Sequence, residues 1–399
     1  MRLPFLIITI LITLGAIVDL YIWRTLKKRF LSMIPARVQL FTALLFGVML
    51  IVTVCLPRRS GSDSTLLVIM WLLYGYLTVY LPKCIFVVID LIASLPRLWG
   101  GRRAGWLSVA GAAIGGVVFI VMWWGALFNR YNIQEREIDV YVDELPASFD
   151  GYRIVQLSDL HVGTFGTDTT FVSRLVNRVN GLRPDVIVFT GDIVNRRSNE
   201  LPPFVGTLGR LAAADGVYSI LGNHDYGDYS TWESLQAKNT DCESLHEMER
   251  SMGWNLMLNS HEYLRRGNDS IALVGVENVG DPPFHTYGSL KKAYPDVSDN
   301  ICKILLSHNP AHWVNDIRDN DSCNIALTLS GHTHAMQIEV AGLSPAAWRY
   351  PTWGGLYSDD SGKRSLYVNI GAGTVGLPMR IGATPEITVI TLHKTKDGK

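Results

Sequence analysis

The chain has 399 residues, with 36 Lys and Arg against 36 Asp and Glu, 48% hydrophobic and 18% charged side chains. That length holds two or three domains with a sizeable core, and the composition excludes a disordered chain, a collagen-like repeat and a disulfide-stapled miniprotein. The zero net charge is a cancellation: residues 1–128 carry 12 basic residues against 3 Asp, a balance of +9, and residues 129–399 carry the opposite −9.

In chain order, four apolar stretches come first, at 3–23, 38–56, 65–95 and 104–128. Each reaches the roughly 20 residues that a membrane-spanning helix needs. The third contains Pro82, Lys83 and Asp90, and reads either as one long tilted helix or as a shorter span followed by an interfacial segment. A cleaved signal peptide does not fit the first stretch, which lacks a small-residue cleavage pattern and runs straight into a basic cluster. Basic residues gather in the first loop (Arg24, Lys27, Lys28, Arg29, Arg37) and the third (Arg97, Arg102, Arg103), while the second has only Arg58 and Arg59. The positive-inside rule then puts loops one and three in the cytoplasm and everything after residue 128 outside it. Asp19, Lys83 and Asp90 are intramembrane charges; the two Asp lie near predicted helix ends, where a charge can reach the headgroups. Cys55 and Cys84 fall in spans, and Cys242, Cys302 and Cys323 show no CxxC spacing, so the cysteines do not report the compartment.

Residues 129–150 form a connecting segment with a first strand, and residues 151–399 read as an α/β domain. Short apolar runs at 153–158, 186–190, 217–221, 271–276, 303–307 and 325–329 alternate with helical stretches such as 169–180 and 231–252. Such alternation predicts a largely parallel sheet with its ligand site beyond the carboxyl ends of the strands. Five of these runs are followed by metal-binding residue types. The first leads into Asp159-Leu160-His161, the second into Gly191-Asp192, the third into Gly222-Asn223-His224-Asp225. The fifth leads into His308-Asn309 and the sixth into Gly331-His332-Thr333-His334. Carboxylate, amide and imidazole are donors for divalent metals. Residues two apart in extended chain face the same side, so Asp159 with His161, and His332 with His334, can each present two donors together. One such fragment alone is ordinary turn chemistry; five at the ends of six runs are not. His246, His261, His285, His312 and His393 stand alone and read as surface or supporting residues.

The ordered blocks resemble the calcineurin-like metallophosphoesterase superfamily over about residues 150–395, and more closely its bacterial membrane-anchored members. The blocks are LSDLH (157–161), GNHD (222–225), GVEN (275–278), LSHNP (306–310), GHTH (331–334) and the tail PMRIGATPEI (378–387). The resemblance implies a metallophosphoesterase sandwich, mixed β-sheets flanked by helices, behind a transmembrane domain of four helices at 1–128, in a bacterial inner membrane. It also implies two divalent ions, Mn, Fe or Zn. Asp159, His161, Asp192 and His334 would hold the first; Asp192 would bridge to the second, which Asn223, His308 and His332 complete. A metal-activated hydroxide would attack, His224 would stabilise the phosphoryl oxygens or protonate the leaving group, and Asp225 would orient His224. In one departure, Ala335 and Met336 stand where relatives often have two glycines, which bears on the shape of the adjoining loop. The acidic balance of this half argues against a nucleic-acid partner and is compatible with a small phosphoester whose charge the metals meet, and the tether to four spans suggests that it is lipid-linked. Trp348, Tyr350, Trp353 and Tyr357 read equally as a lipid-facing rim, a substrate lid or core, and Arg349 and Arg380 as possible phosphate contacts. The leading expectation is a membrane-anchored phosphodiesterase or pyrophosphatase. Its alternatives are a UDP-2,3-diacylglucosamine pyrophosphohydrolase of lipid A synthesis and a non-catalytic membrane sensor or scaffold.

Overall fold

A computed structural model describes residues 2–282, 284–294, 301–320 and 324–395, with side chains from residue 9 onward. Cys323 lies outside the described residues; Cys55, Cys84, Cys242 and Cys302 carry free thiols. The chain divides into two compact units, residues 1–127 with 376–379, and residues 128–375 with 380–399.

The first unit consists of four long helices, α1 (Arg2–Arg29), α2 (Ile34–Cys55), α3 (Asp63–Ile92) and α4 (Gly105–Leu127), each long and apolar enough to cross a membrane. The third apolar stretch is one continuous helix running through Pro82, followed by a 3-10 turn at Leu95–Trp99. Small residues let α3 and α4 approach closely: a Cβ on Gly111 would meet Ile89 at 3.0 Å, and one on Gly115 the Pro82 carbonyl at 3.1 Å. This four-residue spacing of glycines is a common helix-packing device in lipid.

The intramembrane acids do not reach for headgroups. Asp90 is fully buried and accepts from Tyr21 Oη (2.7 Å), Arg29 Nη2 (2.8 Å) and Arg103. Both arginines also reach Ser108 Oγ. Asp19 accepts from Gln39, Tyr80 and Lys83 at 2.6–2.8 Å. Each acid therefore ties together helices that are far apart in sequence, because a lone charge facing hydrocarbon is expensive and a paired, hydrogen-bonded one is tolerated.

The second unit is a sandwich of two six-stranded sheets. The first holds β1 (Gln134–Val142), β2 (Tyr152–Leu157), β3 (Val186–Phe189), β4 (Val217–Ser219) and β5 (Asn255–Leu256). The second holds β6 (Ser260–Arg266), β7 (Asp269–Gly275), β8 (Lys303–Leu306), β9 (Leu327–Ser330), β10 (Gly355–Ser358) and β11 (Ser365–Val368). The last strand, β12 (Glu386–Lys394), returns to the first sheet, giving the orders β1-β12-β2-β3-β4-β5 and β10-β11-β9-β8-β7-β6. Strands β2 to β5 run parallel, as do β7, β8, β9 and β11; β6 and β10 are antiparallel edges. Ile154, Val188, Leu273, Ile304, Leu329 and Tyr367 fill the space between the sheets. On the outer face of the first sheet lie α5 (Thr170–Gly181), α6 (Pro202–Leu208) and α7 (Leu235–Ser251). The buried stripe Phe171, Val172, Leu175, Val176 and Val179 explains why α5 seats there. The short α8 (Leu290–Ala293) covers the second sheet together with Trp313 and Ile317. With both faces covered, β3, β8 and β9 are buried throughout, as continuous apolar parallel strands should be. Both sheets send the carboxyl ends of their central strands, β2–β3–β4 and β8–β9, to one edge of the sandwich.

The Asp90 cluster generates a stability test. Asp90→Asn leaves the partly buried Arg103 and the more exposed Arg29 without their shared carboxylate, and with one cation open to its surroundings the loss is about 1–2 kcal/mol. The thermal midpoint of the full chain in detergent is expected to fall by several degrees. An unchanged midpoint would show that the pair adds nothing to the bundle.

Candidate metal centre

Each expected donor sits on the loop that leaves a central strand. Reaching the common edge requires an unusual backbone: Asp159, His161, Asp192, His332 and His334 all have positive φ, between 45° and 75°. Non-glycine residues rarely adopt this left-handed region, and such strain concentrates at functional sites. Two glycines make the close approach possible. A Cβ on Gly331 would lie 2.3 Å from Asp159 Oδ2, and one on Gly222 would lie 2.2 Å from Asp192 Oδ1.

These loops bring the donors into two groups, Asp159 with His161 and His334, and Asp192 with His308 and His332. Within each group the donor atoms all lie within 4.8 Å of one another. In the first, His334 Nε2 stands 3.2 Å from Asp159 Oδ1 and 3.0 Å from His161 Nε2. In the second, His308 Nε2 stands 3.3 Å from Asp192 Oδ2, 3.3 Å from His332 Nδ1 and 3.2 Å from Asn223 Oδ1. Asp192 Oδ2 also lies 3.6 Å from His161 Nε2 of the first group, so this carboxylate stands between the two.

The donor set fits divalent cations. Carboxylate oxygens, an amide oxygen and imidazole nitrogens converge in a pocket that is almost wholly buried. The rings are also turned correctly. His161 Nδ1 faces the Val194 carbonyl at 3.1 Å and His308 Nδ1 the Thr190 carbonyl at 2.7 Å, which turns each Nε2 inward. Burial, and then the neighbouring His308, lower His332 to about 3. Burial and His224 lower His161 well below the usual imidazole range, so both rings keep free lone pairs at neutral pH. His308 goes the other way, to about 9. Burial opposes its proton, but Asp192 and Asp159 outweigh burial and draw positive charge to this point.

His224 lies at the mouth of the cluster, with its ring edge-on to His161 at a centroid distance of 4.8 Å. Its Nδ1 is 2.5 Å from the Asn195 carbonyl, and its ring stacks on Tyr229 at 4.1 Å. Asp225 does not orient it as expected. Both Asp225 oxygens accept backbone N–H groups, from Asp192 (2.7 Å), Ile193 (3.0 Å), Val194 (3.2 Å) and Gly222 (2.8 Å). A carboxylate at that position fastens the loop after β3 to the loop after β4.

Arg380 is not a phosphate contact. It is completely buried, donating to the carbonyls of Gly373, Ala383 and Ile370, with Nη2 3.2 Å from His334 Nδ1. Arg349 pairs with Asp281. The aromatic stretch splits in two: Tyr350 is buried with its hydroxyl 2.9 Å from His332 Nε2, whereas Trp348 is 91% exposed. Asn195 and Tyr229 thus border the site although neither is among the expected site residues, and Tyr350 of the aromatic stretch joins them. Asn195 acts through its carbonyl, which no side-chain pattern reveals, and the two tyrosines belong to no repeated spacing.

With this geometry established, likeness to known proteins can be judged. Residues 152–336 match the family described as Calcineurin-like phosphoesterase. Residues 1–130 match the family described as Probable Calcineurin-like phosphoesterase, transmembrane domain. The "Transmembrane protein with metallophosphoesterase domain" of Danio rerio is 30% identical over 418 residues, covering 98% of this chain and 90% of that one. The "Uncharacterized metallophosphoesterase YkuE" of Bacillus subtilis is 30% identical over 311 residues, or 75% of this chain and 96% of that one. The "UDP-2,3-diacylglucosamine pyrophosphatase LpxG" of Chlamydia muridarum is 29% identical over 294 residues, or 61% and 84%. Bacterial and animal relatives alike share the catalytic half, and the match to the fish protein runs through the membrane helices as well. The chain therefore belongs to the calcineurin-like metallophosphoesterases, as a member that carries its enzyme domain behind four membrane-spanning helices.

Proposed function

We propose that this metallophosphoesterase works with two metal ions and hydrolyses a phosphodiester or pyrophosphate bond in a lipid-linked substrate. The observation that carries this reading is the pair of buried donor groups with Asp192 between them. Asp159, His161 and His334 would hold one ion; His308, His332 and Asn223 the other; Asp192 would serve both. Two such ions supply Lewis acidity, lowering the pKa of a water and neutralising the charge of the reacting phosphoryl group.

The chain's own residues supply the rest. With His224 Nδ1 committed to the Asn195 carbonyl, Nε2 is the atom free to exchange a proton with the substrate. Stacking on Tyr229 fixes the ring plane, and the His224 backbone N–H donates to Asp192 Oδ1 at 2.8 Å, which ties the main chain that carries the acid to the shared ligand. The Tyr350 hydroxyl holds His332 by the ring nitrogen turned away from the cluster, the usual arrangement for orienting an imidazole ligand.

A narrower reading is a pyrophosphatase acting on a diacylated nucleotide sugar, motivated by the similarity to the Chlamydia protein. Sidedness separates it from the broader one. The basic loops favour a catalytic domain outside the cytoplasm, whereas a nucleotide-linked substrate is a cytoplasmic product.

Three outcomes are expected. Asp192→Asn and His308→Ala should each lower hydrolysis of an aryl phosphodiester in Mn²⁺ by about a thousandfold, with fewer ions per chain by elemental analysis; full activity in either variant would remove the two-metal reading. His224→Ala should retain its metal content while kcat falls roughly a hundredfold, and an unchanged kcat would relieve His224 of its proton-transfer role. A reporter fused after Lys399 should be active only in an extracytoplasmic form; a cytoplasmic signal would reverse the topology and favour the narrower substrate.

A further inference from the structure

Exposed apolar side chains are unevenly spread over the catalytic unit. Among the described residues after 128, seven large apolar side chains are exposed, and four of them lie within thirteen residues: Met336, Val340, Leu343 and Trp348. We propose that residues 336–348 form an interfacial anchor that inserts into the bilayer crossed by the chain's own helices, holding the metal centre against the lipid.

The segment is built rather than slack. Val340 and Leu343 exchange both backbone hydrogen bonds, at 2.9 and 3.0 Å, around Ala341 and Gly342, whose φ angles are 52° and 77°. This is a two-residue hairpin turn with both central residues left-handed, a turn that normally recruits Asn, Asp or Gly. Here Val-Ala-Gly-Leu leaves the tip without one polar side chain. Ser344 pins the return strand by donating to the Ala335 carbonyl at 2.6 Å, and Ala346 is buried behind it. The apolar groups are thus held outward by a structured scaffold. Leu343 is 76% and Trp348 91% exposed. An apolar cluster of this kind marks an interaction site, and Trp beside aliphatic residues favours the membrane–water boundary.

Chain connectivity points to the bilayer as the occupant. The last apolar span runs to Tyr131, and Asn129 within it donates to the Arg380 carbonyl at 3.0 Å. The next residue, Ile381, pairs by its main chain with Gln337 and Glu339, each at 2.8 Å. Two hydrogen-bonded steps within the catalytic unit therefore link Asn129, two residues past the end of α4 in the chain, to the base of the hairpin. This inference rests on the four helices spanning a membrane and is independent of the proposed substrate.

The test uses the full chain in vesicles of phosphatidylcholine and phosphatidylglycerol. Its native cysteines are replaced by Ser, and an environment-sensitive fluorophore is attached at Leu343→Cys. Doxyl-labelled lipid is expected to quench the label at least about twofold, while aqueous cobalt leaves it nearly untouched, as for a side chain at the headgroup–acyl boundary. A label quenched by cobalt and not by lipid overturns the proposal. Shielding from both quenchers that disappears at one chain per vesicle also overturns it, in favour of a second copy of the chain. Leu343→Asp with Trp348→Asp should hydrolyse a soluble aryl phosphodiester within about twofold of the parent, but a bilayer-borne phosphoester at least about tenfold more slowly. If neither substrate is cleaved by the parent, the hydrolytic reading fails while the quenching result still decides the anchor.

Discussion

The architecture of the catalytic unit converges on the fixation of Asp192. Its backbone is left-handed, its N–H donates to Asp225, its Oδ1 accepts the His224 N–H, and its Oδ2 faces His161 on one side and His308 on the other. A carboxylate buried among imidazoles is unfavourable on desolvation grounds alone. It persists because the loop after β3 is clamped from the β4 side, where Asp225 gathers four backbone N–H groups, and because the nearby rings can balance the charge. The strain at Asp159, His161, His332 and His334 has the same origin. A strand that simply continued would carry these donors past the edge of the sheet; a left-handed residue folds each of them back toward the common point.

The membrane unit solves a related problem differently. Asp90 and Asp19 are taken out of contact with hydrocarbon by hydroxyl, amide and cationic partners drawn from other helices. Tyr21, Arg29, Arg103 and Ser108 converge on the first, while Gln39, Tyr80 and Lys83 converge on the second. In both units a carboxylate decides which neighbouring elements meet, and among the described residues the donor groups that could hold a metal ion lie in the catalytic unit.

Much of the fold could be read from residue patterns because the central strands are apolar throughout and each ends in a donor. Val186–Phe189 followed by Gly191-Asp192 announces both strand and site, and four long apolar runs announce four helices. The division into two sheets was harder to read from periodicity. Strand β6 is mostly polar, with Leu264 its one buried residue, β5 is two residues long, and β12 returns across the sandwich to lie between β1 and β2. None of these carries a local signal for which sheet it joins. Residue type also failed to separate a role in the site from a role in its scaffold. Asp225 stands in a metal-binding block yet serves the backbone, and Arg380 has the chemistry of a phosphate ligand yet is consumed by carbonyls. In the membrane half, Asp19 and Asp90 lie near predicted ends in sequence, but helix packing turns them inward.

The turn after β9 joins the metal centre to the apolar hairpin. His334, Ala335, Met336 and Gln337 are consecutive residues with positive φ, a run in which glycine would relieve the contact between Cβ and carbonyl. Relatives with glycines here can make the turn freely; this chain makes it with Ala335 and Met336, so the conformation must be imposed from outside. The restraints are visible: Ala335 is fully buried against Ile370 and Ala383, its carbonyl accepts from Ser344, and Gln337 Oε1 accepts from Val375 N–H at 2.8 Å. Arg380 closes the arrangement by bracing the His334 ring while its own carbonyl holds Asn129. The residue that aims a donor at the cluster is thereby tied, through short hydrogen-bonded connections within the catalytic unit, to the hairpin base on one side and to Asn129 on the other.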